Sequence, residues 1–304
     1  MSPGSARRPP PPRRRAPWTL TDALIILVLL VAVSALLLRA SENFQYRWDW
    51  SSVWPFIIRI DPDTGRWSPN VLVQGLLTTI RLAVWGILIA ALIGVVMGWA
   101  RTRERLLPRL IGASYVMIVR NIPPVVFVFI FVYFIASHFM PSLRLADRAR
   151  DWPQGVQSVL ELMFGPIALL DNFLLGLICL SVFSGAYVTE IVRAGLQSVS
   201  RMQIEAGQSL GLSRSDQFRF VVLPQALRTM FPPLAGQLIQ LIKDSSLVSL
   251  VSIQELTFMA QDVQVSTQRV FEVFLLIAVV YFGLCASLSS LFSRLEARSE
   301  GSRL

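Results

Sequence analysis

Charged residues and the residue types of metal sites are scarce in this sequence. Only 15% of its 304 residues are charged, against about 25% in soluble domains. There is one histidine, His138, and there are two cysteines, Cys179 and Cys285, both inside apolar segments. A single histidine cannot form a histidine cluster, and the cysteines have neither metal-site spacing nor a disulfide framework. We therefore expect the cysteines to be packing residues and this chain to hold no metal or cofactor.

Signatures of nucleotide binding and of catalysis are also lacking. The only lysine, Lys243, follows Ile242, whereas a phosphate-binding loop has glycine directly before its lysine. With one histidine there is no H-E-x-x-H motif. We expect this chain not to be an enzyme.

Long apolar runs are abundant, and they decide the fold class. Hydrophobic residues make up 54% of the chain, and several windows reach the roughly 20 residues that cross a bilayer. These runs predict an all-α, polytopic membrane bundle of about six helices in one domain. The predicted spans are 22–38 (with the first helix ending by 40), 71–99, 110–137, 167–188, 230–250 and 270–292.

The ends of the chain and the connections have their own composition. Residues 1–21 are rich in arginine and proline, which predicts a disordered cytoplasmic segment. The Trp-rich stretch 41–70 predicts an interfacial segment. Residues 138–166 and 252–269 are predicted external connections, and 293–304 a short cytoplasmic tail.

The first apolar run could be a membrane span or a signal peptide. The small residues at 33–35, which resemble a cleavage site, lie inside the apolar run rather than after it. This favours an uncleaved anchor.

The distribution of basic residues predicts the orientation. The segments at the start, near residue 105, at 193–228 and in the tail hold 17 basic residues, whereas the alternate segments hold eight. Basic residues are enriched in cytoplasmic loops. The pattern predicts that both termini are cytoplasmic. It also indicates that the net charge of +9 reflects membrane topology rather than nucleic-acid binding.

Several polar residues fall in or at the ends of predicted spans, where a charge is costly unless it meets water or a partner. They are Arg120, Asn121, Pro123, Glu190, Arg193, Lys243 and Asp244. Pro123 and Pro124 should break the third span, as helices that line transport pathways often are broken. Glu190 and Arg193 are three residues apart and are expected to pair. Two interpretations of the set stay open: salt bridges that fix the bundle, and contacts of Arg120 or Lys243 with a substrate carboxylate.

The polar interval 193–228 is unusual for a loop between membrane spans. Hydrophobic residues on either side of Gly211 predict two short amphipathic helices with that glycine between them; they are Leu210, Leu212, Phe218, Phe220, Val221 and Val222. Ser213 and Asp216 have the spacing of a capping box for the second helix, and Pro224 is expected to interrupt that helix. The alternative is a merely amphipathic cytoplasmic loop.

The spacing within this interval resembles the E-A-A-x3-G-x9-I-x-L-P loop of membrane permeases of ATP-binding-cassette importers. The residues that carry the resemblance are Glu205, Ala206, Gly207, Gly211, Val221, Leu223 and Pro224. Gly207 stands where the family has a second alanine, and Val221 where it has isoleucine. The resemblance implies that 193–228 is a coupling loop that docks on a separate ATPase, with Glu205 near the start of its helix.

Residues 71–292 resemble more narrowly the polar amino acid permeases of the histidine/glutamine/glutamate group. The matching stretches are 78–80, 120–123, 185–198, 223–228 and 243–247; Arg201-Met202-Gln203 departs from the family's usual Lys-Gly-Gln. The resemblance implies a type I importer permease in a bacterial inner membrane. It also implies four partners: ATPase subunits that bind ATP and magnesium, a second permease copy or paralogue, an extracytoplasmic substrate-binding protein and an amino acid. Import of an opine or compatible solute, a secondary transporter and a receptor-like subunit are the alternatives.

Overall fold

The computed structural model describes residues 20–43, 46–60 and 65–301, in two units that divide between Trp48 and Asp49. In the first unit, helix α1 (Leu20–Asn43) lies where the first span is predicted. The apolar part of α1 that can be described is Leu20–Ala32, which is shorter than a full span. The prediction for residues 1–21 falls almost entirely outside the described residues.

The second unit is helical, as predicted, apart from a pair of short strands near its start. Two turns of 3₁₀ helix (Trp50–Ser52 and Trp54–Phe56) lead into strands β1 (Ile58–Ile60) and β2 (Trp67–Pro69). The strands pair antiparallel, with Ile58 opposite Pro69. Alternation of isoleucine with arginine in β1 suits a strand, and this signal is too short to stand out in a sequence dominated by helices.

Helix α2 (Val71–Thr102) is the first long span of the second unit. Asn70 caps it, its side-chain oxygen accepting from the Val71 amide at 2.9 Å. A Cβ added to Gly94 would overlap the side chain of Val188, and one added to Gly98 would lie 2.8 Å from Val192. Helix α2 therefore has a face of small residues, and this face packs closely on the later helix α8 (Leu170–Gln197).

The third predicted span is broken, as its prolines predict. Helix α3 (Leu106–Asn121) ends at Ile122, whose backbone is extended, and α4 (Pro124–Ile130) starts a segment that turns by 111°. A π-helical turn (Phe131–Ala136) and α5 (Ser137–Leu143) continue this segment. The predicted single span 110–137 is thus a bent pair of helices.

The connection at 138–166 is largely helical, with α6 (Leu145–Arg150) and α7 (Gln154–Phe164). A 3₁₀ turn (Ile167–Leu169) then enters α8 (Leu170–Gln197), the central helix of the unit. Its buried residues form the main core with the aromatic side chains Phe127 and Phe131.

The predicted coupling loop (193–228, named the coupling loop below for this prediction) contains α9 (Arg201–Ser209), the single turn α10 (Arg214–Asp216) and a π-helical turn (Gln217–Val222). It leads into α11 (Leu223–Asp244). The helical path from Arg214 to Asp244 is continuous, so the prediction that Pro224 interrupts it is wrong. The π-helical turn shifts the hydrogen-bond pattern directly before Pro224, at a junction where one amide can be missing. Pro232 and Pro233 also lie inside α11 rather than at its entrance.

The chain ends with a 3₁₀ segment (Ser245–Val251), α12 (Leu256–Thr267) and α13 (Val270–Gly301). The predicted connection 252–269 therefore contains a helix. The predicted tail 293–304 continues α13 as far as the structure describes it.

Within the described residues, three helices are long and apolar enough to cross a membrane: Val71–Thr102, Ile167–Gln197 and Val270–Ala297. The bent pair makes a fourth if it counts as one span. Among the six predicted spans, the first and the fifth do not meet this criterion of length and apolar composition. The fifth lies on α11, whose Gln237 is buried and donates to Ser184 at 3.3 Å. A helix with polar groups that bond inside the bundle is less apolar than one that faces lipid.

Candidate functional site

The coupling loop is a folded hairpin of helices. Ser200 caps α9 by accepting from the Gln203 amide at 3.4 Å. The chain then reverses at Gly211, whose φ of +78° lies in the left-handed region that favours glycine. Ser213 accepts from the Asp216 amide at 3.2 Å, which confirms the predicted cap of the second helix. The two halves are thus each capped and joined at one special backbone position.

Gly207 is the point at which the two halves of the hairpin touch. It is buried, and a Cβ built on it would lie 3.5 Å from Gln217 and 3.6 Å from Leu212. Gln217 is only 5% exposed and donates to the Leu212 carbonyl at 3.0 Å. Helix α9 therefore rests on the π-helical turn instead of extending freely into solvent.

The outer face of α9 is exposed. Glu205 and Ala206 both face solvent, and Met202 and Leu210 are exposed by 78% and 81%. Glu205 is the fifth residue of α9, past the first turn, so the expected place at the start of the helix is wrong. Helix-dipole stabilisation fades within the first turn. The carboxylate of Glu205 is thus exposed on a segment that also exposes the large apolar side chains Met202 and Leu210.

The G-Q-S-L-G run at 207–211 has the pattern of a hydrolase nucleophile elbow, but not its structure. It ends a helix rather than following a strand, and the Ser209 hydroxyl donates to the Glu205 carbonyl at 3.0 Å. The only histidine, His138, is placed beside the Ser137 hydroxyl, at 3.4 Å. Within the described residues, the hydroxyl of Ser209 is thus bonded to a main-chain carbonyl and not to a histidine.

Leu223 and Pro224 join the loop to the bundle. They are the first residues of α11, which passes close to the end of α8. A Cβ on Gly195 would lie 3.2 Å from the Ala226 carbonyl oxygen. Because the two helices that flank the loop are in tight contact, a displacement of the loop would act on both.

A cluster of charges lies at the end of α8 that leads to the loop. Arg193 donates to Glu190 through two nitrogens, at 2.9 Å and 2.8 Å, which confirms the predicted pairing. Arg101, from the end of α2, forms an ion pair with the same carboxylate. One carboxylate thus pairs with two guanidinium groups, which leaves the cluster with a net positive charge.

Arg120 and Asn121 face a cavity of about 330 Å³ together with Arg101. The guanidinium of Arg120 lies 5.0 Å from the centre of the Tyr187 ring, a cation–π distance. Asn121 donates to the Met117 carbonyl at 2.6 Å and ends α3 directly before the break at Pro123. The break therefore places a cation and an amide at the edge of a cavity.

Lys243 and Asp244 are not part of this cluster. Asp244 accepts from Gln240 of the same helix at 2.8 Å, and Lys243 is exposed. Within the described residues, neither side chain has a hydrogen bond or ion pair to the charges around Glu190. The candidate residues thus divide into two groups at different places in the bundle.

Sequence reasoning missed Arg101 and Tyr187 as partners of the candidate residues. Arg101 is expected to mark a cytoplasmic turn, whereas it ends α2 and reaches a carboxylate 89 positions away. Helical spacing links Glu190 to Arg193, but only the packing of α2 on α8 brings in Arg101. Its place at the end of a span is the one signal that could have pointed to such a role.

Comparisons with known proteins agree with this architecture. The chain is 31% identical over 252 residues to the glutamine transport system permease protein GlnP of Escherichia coli (strain K12), covering 83% of this chain and 98% of that protein. It is 30% identical over 255 residues to the glutamate/aspartate import permease protein GltK of Escherichia coli O6:H1, covering 84% of this chain and all of that one.

A solved structure and a family model extend these similarities. A chain from the crystal structure of an amino acid ABC transporter with histidines matches with a TM-score of 0.60 and 28% identity, over 75% of this chain and 94% of that chain. Residues 86–301 match the model of the binding-protein-dependent transport system inner membrane component. That match covers well over half of the sequence, and the chain belongs to this family of transport-system membrane components.

Proposed function

We propose that this chain is the permease subunit of an ATP-driven amino acid importer. Its relatives are glutamine and glutamate/aspartate permeases, and it spans nearly their whole length. The solved neighbour is an amino acid transporter of the ABC class. These similarities favour an amino acid over an opine or a compatible solute as the substrate, and an ATP-driven importer over a secondary transporter.

The observation that carries the mechanism is the rigid connection between the coupling loop and the bundle. Helix α9 rests on Gln217 and Leu212, and an unbroken helical path leads from Arg214 to Asp244. An ATPase that holds the exposed face of α9 would therefore move α11, and α8 beside it, as the nucleotide sites close and open. Glu205 would contribute a charge-assisted contact to a basic group of that ATPase.

The remaining partners follow from this role. The chain has no phosphate-binding loop, so ATP and magnesium would be bound and hydrolysed in the separate ATPase subunits. A substrate-binding protein would deliver the amino acid on the extracytoplasmic side. A second copy of this chain, or a paralogue, would form the other half of the pathway.

Arg120 is the residue best placed to meet the substrate along this pathway. It lies on a cavity at the broken span that Arg101 also lines, and Arg101 and Arg193 share the single carboxylate of Glu190. A guanidinium group there would bind the carboxylate that every amino acid carries. Lys243 and Asp244, at the other group of candidate residues, would act elsewhere on the pathway.

Uptake by the reconstituted importer tests the function. Vesicles would contain this chain with its ATPase, and labelled glutamine or glutamate would be supplied with the cognate binding protein. We expect uptake only when ATP is present on the side of the membrane that the ATPase faces. Uptake should stop when the catalytic glutamate of the ATPase is replaced. Uptake that persists without ATP would indicate a secondary transporter, and uptake only of an opine or a compatible solute would change the substrate class.

The role of Arg120 has its own test in the same vesicles. We expect Arg120→Gln to reduce uptake by about tenfold or more, whereas Arg148→Gln, on the exposed helix α6, should leave uptake unchanged. Intact ATPase coupling in Arg120→Gln, measured as ATP hydrolysis stimulated by the binding protein, would separate a substrate contact from a folding defect. Normal uptake in this variant would contradict the assignment.

A further inference from the structure

A second, larger cavity lies between the end of α2 and the start of α10. Its volume is about 850 Å³, and its walls include Trp99, Arg103, Arg105 and Arg214. Glu104 is the one carboxylate in its lining. Three guanidinium groups against one carboxylate make this cavity cationic, and it is separate from the cluster around Glu190.

The three arginines of this cavity have no anionic partner within the part of the chain that the structure describes. The ion pairs found there involve other arginines. Arg103 instead lies 3.8 Å from the centre of the Trp99 ring. Stacking on an aromatic ring holds a guanidinium in place while its N–H donors stay free for another group.

Apolar side chains lie directly beside the arginines. Val96 and Trp99, both in the lining, are half exposed, and Leu106 and Leu107 on the first turn of α3 are exposed by 60% and 70%. Helix α2 is one of the membrane-spanning helices, and Trp99 lies in its last turn, next to the arginines. Tryptophan and arginine at the end of a span are typical of the depth at which lipid headgroups lie.

We propose that this cavity binds the phosphate headgroup of an anionic phospholipid. The arginines would donate to the phosphate oxygens, for which the fork of a guanidinium is well suited. The acyl chains would lie along the apolar surface next to Val96 and Leu107. Basic pockets between membrane helices bind acidic headgroups in this way, and a free phosphate or a nucleotide would leave the apolar surface uncovered.

The cavity joins two parts of the molecule that are far apart in sequence. Arg103 and Arg105 belong to the turn between α2 and α3, whereas Arg214 is the first residue of α10, in the second half of the coupling loop. A headgroup held by all three would tie the coupling loop to the end of α2. Binding itself does not depend on the proposed transport function, so the two can fail separately.

Lipid selectivity of the full-length protein tests the proposal. Native mass spectrometry of the purified chain, titrated with dioleoylphosphatidylglycerol or dioleoylphosphatidylcholine, gives the affinity for each. We expect about tenfold tighter binding of the anionic lipid, and loss of that preference in the variant R103Q/R105Q/R214Q. The matched control R144Q/R148Q/R150Q removes the same charge from α6 and the residue before it, and should keep the preference.

A second measurement does not depend on the triple variant folding. Phosphatidylglycerol with brominated chains should quench the fluorescence of Trp99, taken as the difference between wild type and Trp99→Phe, more than brominated phosphatidylcholine does. Equal quenching by both lipids would overturn the proposal. Displacement of the lipid by inorganic phosphate alone would also overturn it, because that result indicates a simple anion site. Loss of the preference when the ATPase is bound would overturn it as well, because that result indicates a protein contact.

Discussion

Glycine has two opposite roles at the scale of single residues in the coupling loop. Gly211 has a backbone conformation that other residues rarely adopt, and nothing lies within 4 Å of the place where a side chain would start. Gly207 has ordinary helical geometry, and its neighbours are at van der Waals distance from a Cβ. The first glycine is needed for its conformation, whereas the second only leaves out a methyl group that would fit.

Gly207→Ala should therefore stabilise the loop. Alanine is a better helix former than glycine by up to about 1 kcal/mol, and the new methyl group would contact Gln217 and Leu212 without overlap. Hydrogen exchange of the amides in α9 measures the effect, which should appear as slower exchange. Faster exchange in this variant would show that the site has no room for the methyl group.

Gly211→Val should destabilise the same loop by about 1–3 kcal/mol, because a β-branched residue at this φ is strained. Asparagine tolerates the left-handed region, and the space around Gly211 is open, so Gly211→Asn is the matched control. We expect ATP hydrolysis coupled to transport to fall in the valine variant and to persist in the asparagine variant. Equal losses in both would show that the side chain, not the backbone, is the cause.

At the scale of secondary-structure elements, the close packing of α2 on α8 depends on small residues in α2. The side chain of Val188 fills the space beside Gly94, and Val192 that beside Gly98. The helices can approach this closely only because α2 has no side chain at these positions. Gly283 in α13 is different, since nothing lies within 4 Å of its added Cβ.

Gly94→Leu should consequently reduce the stability of the bundle, whereas Gly283→Leu should not. Overpacking of a close contact costs about 1–3 kcal/mol, because α2 and α8 must separate to admit the leucine. Unfolding of the purified protein by increasing sodium dodecyl sulfate measures the free energy of unfolding in each variant. A similar loss in both would mean that leucine perturbs these helices for reasons other than the contact with Val188.

The elements also show what could be predicted from the sequence. Long apolar runs predict α2, α8 and α13 well, and two consecutive prolines correctly predict the break before Pro124. The same reasoning fails at Pro224. The π-helical turn before it changes the hydrogen-bond pattern where proline lacks an amide hydrogen, and that turn has no sequence signal of its own. The capping of Asp216 by Ser213 was predictable because it is local, whereas the ion pair of Arg101 with Glu190 depends on the packing of two helices.

At the scale of the whole molecule, two basic segments of the second unit meet at the end of α2. The turn with Arg103 and Arg105 and the coupling loop with Arg214 line the same cavity, although they are more than 100 positions apart. The basic-residue count predicts both segments to be cytoplasmic. Their common location agrees with one part of this prediction, that both lie on the same side of a membrane, since two segments on opposite sides could not share this cavity.

Labelling of introduced cysteines tests the orientation that this implies. Ser209 in α9 and Ser158 in α7 are both exposed, and the natural cysteines are buried or half-buried, so wild type gives the background. A membrane-impermeant maleimide should label Ser158→Cys in right-side-out vesicles and Ser209→Cys in inside-out vesicles. Labelling of Ser209→Cys in right-side-out vesicles would place α9 away from any cytoplasmic ATPase, and the proposed coupling of that helix to ATP hydrolysis would then be wrong.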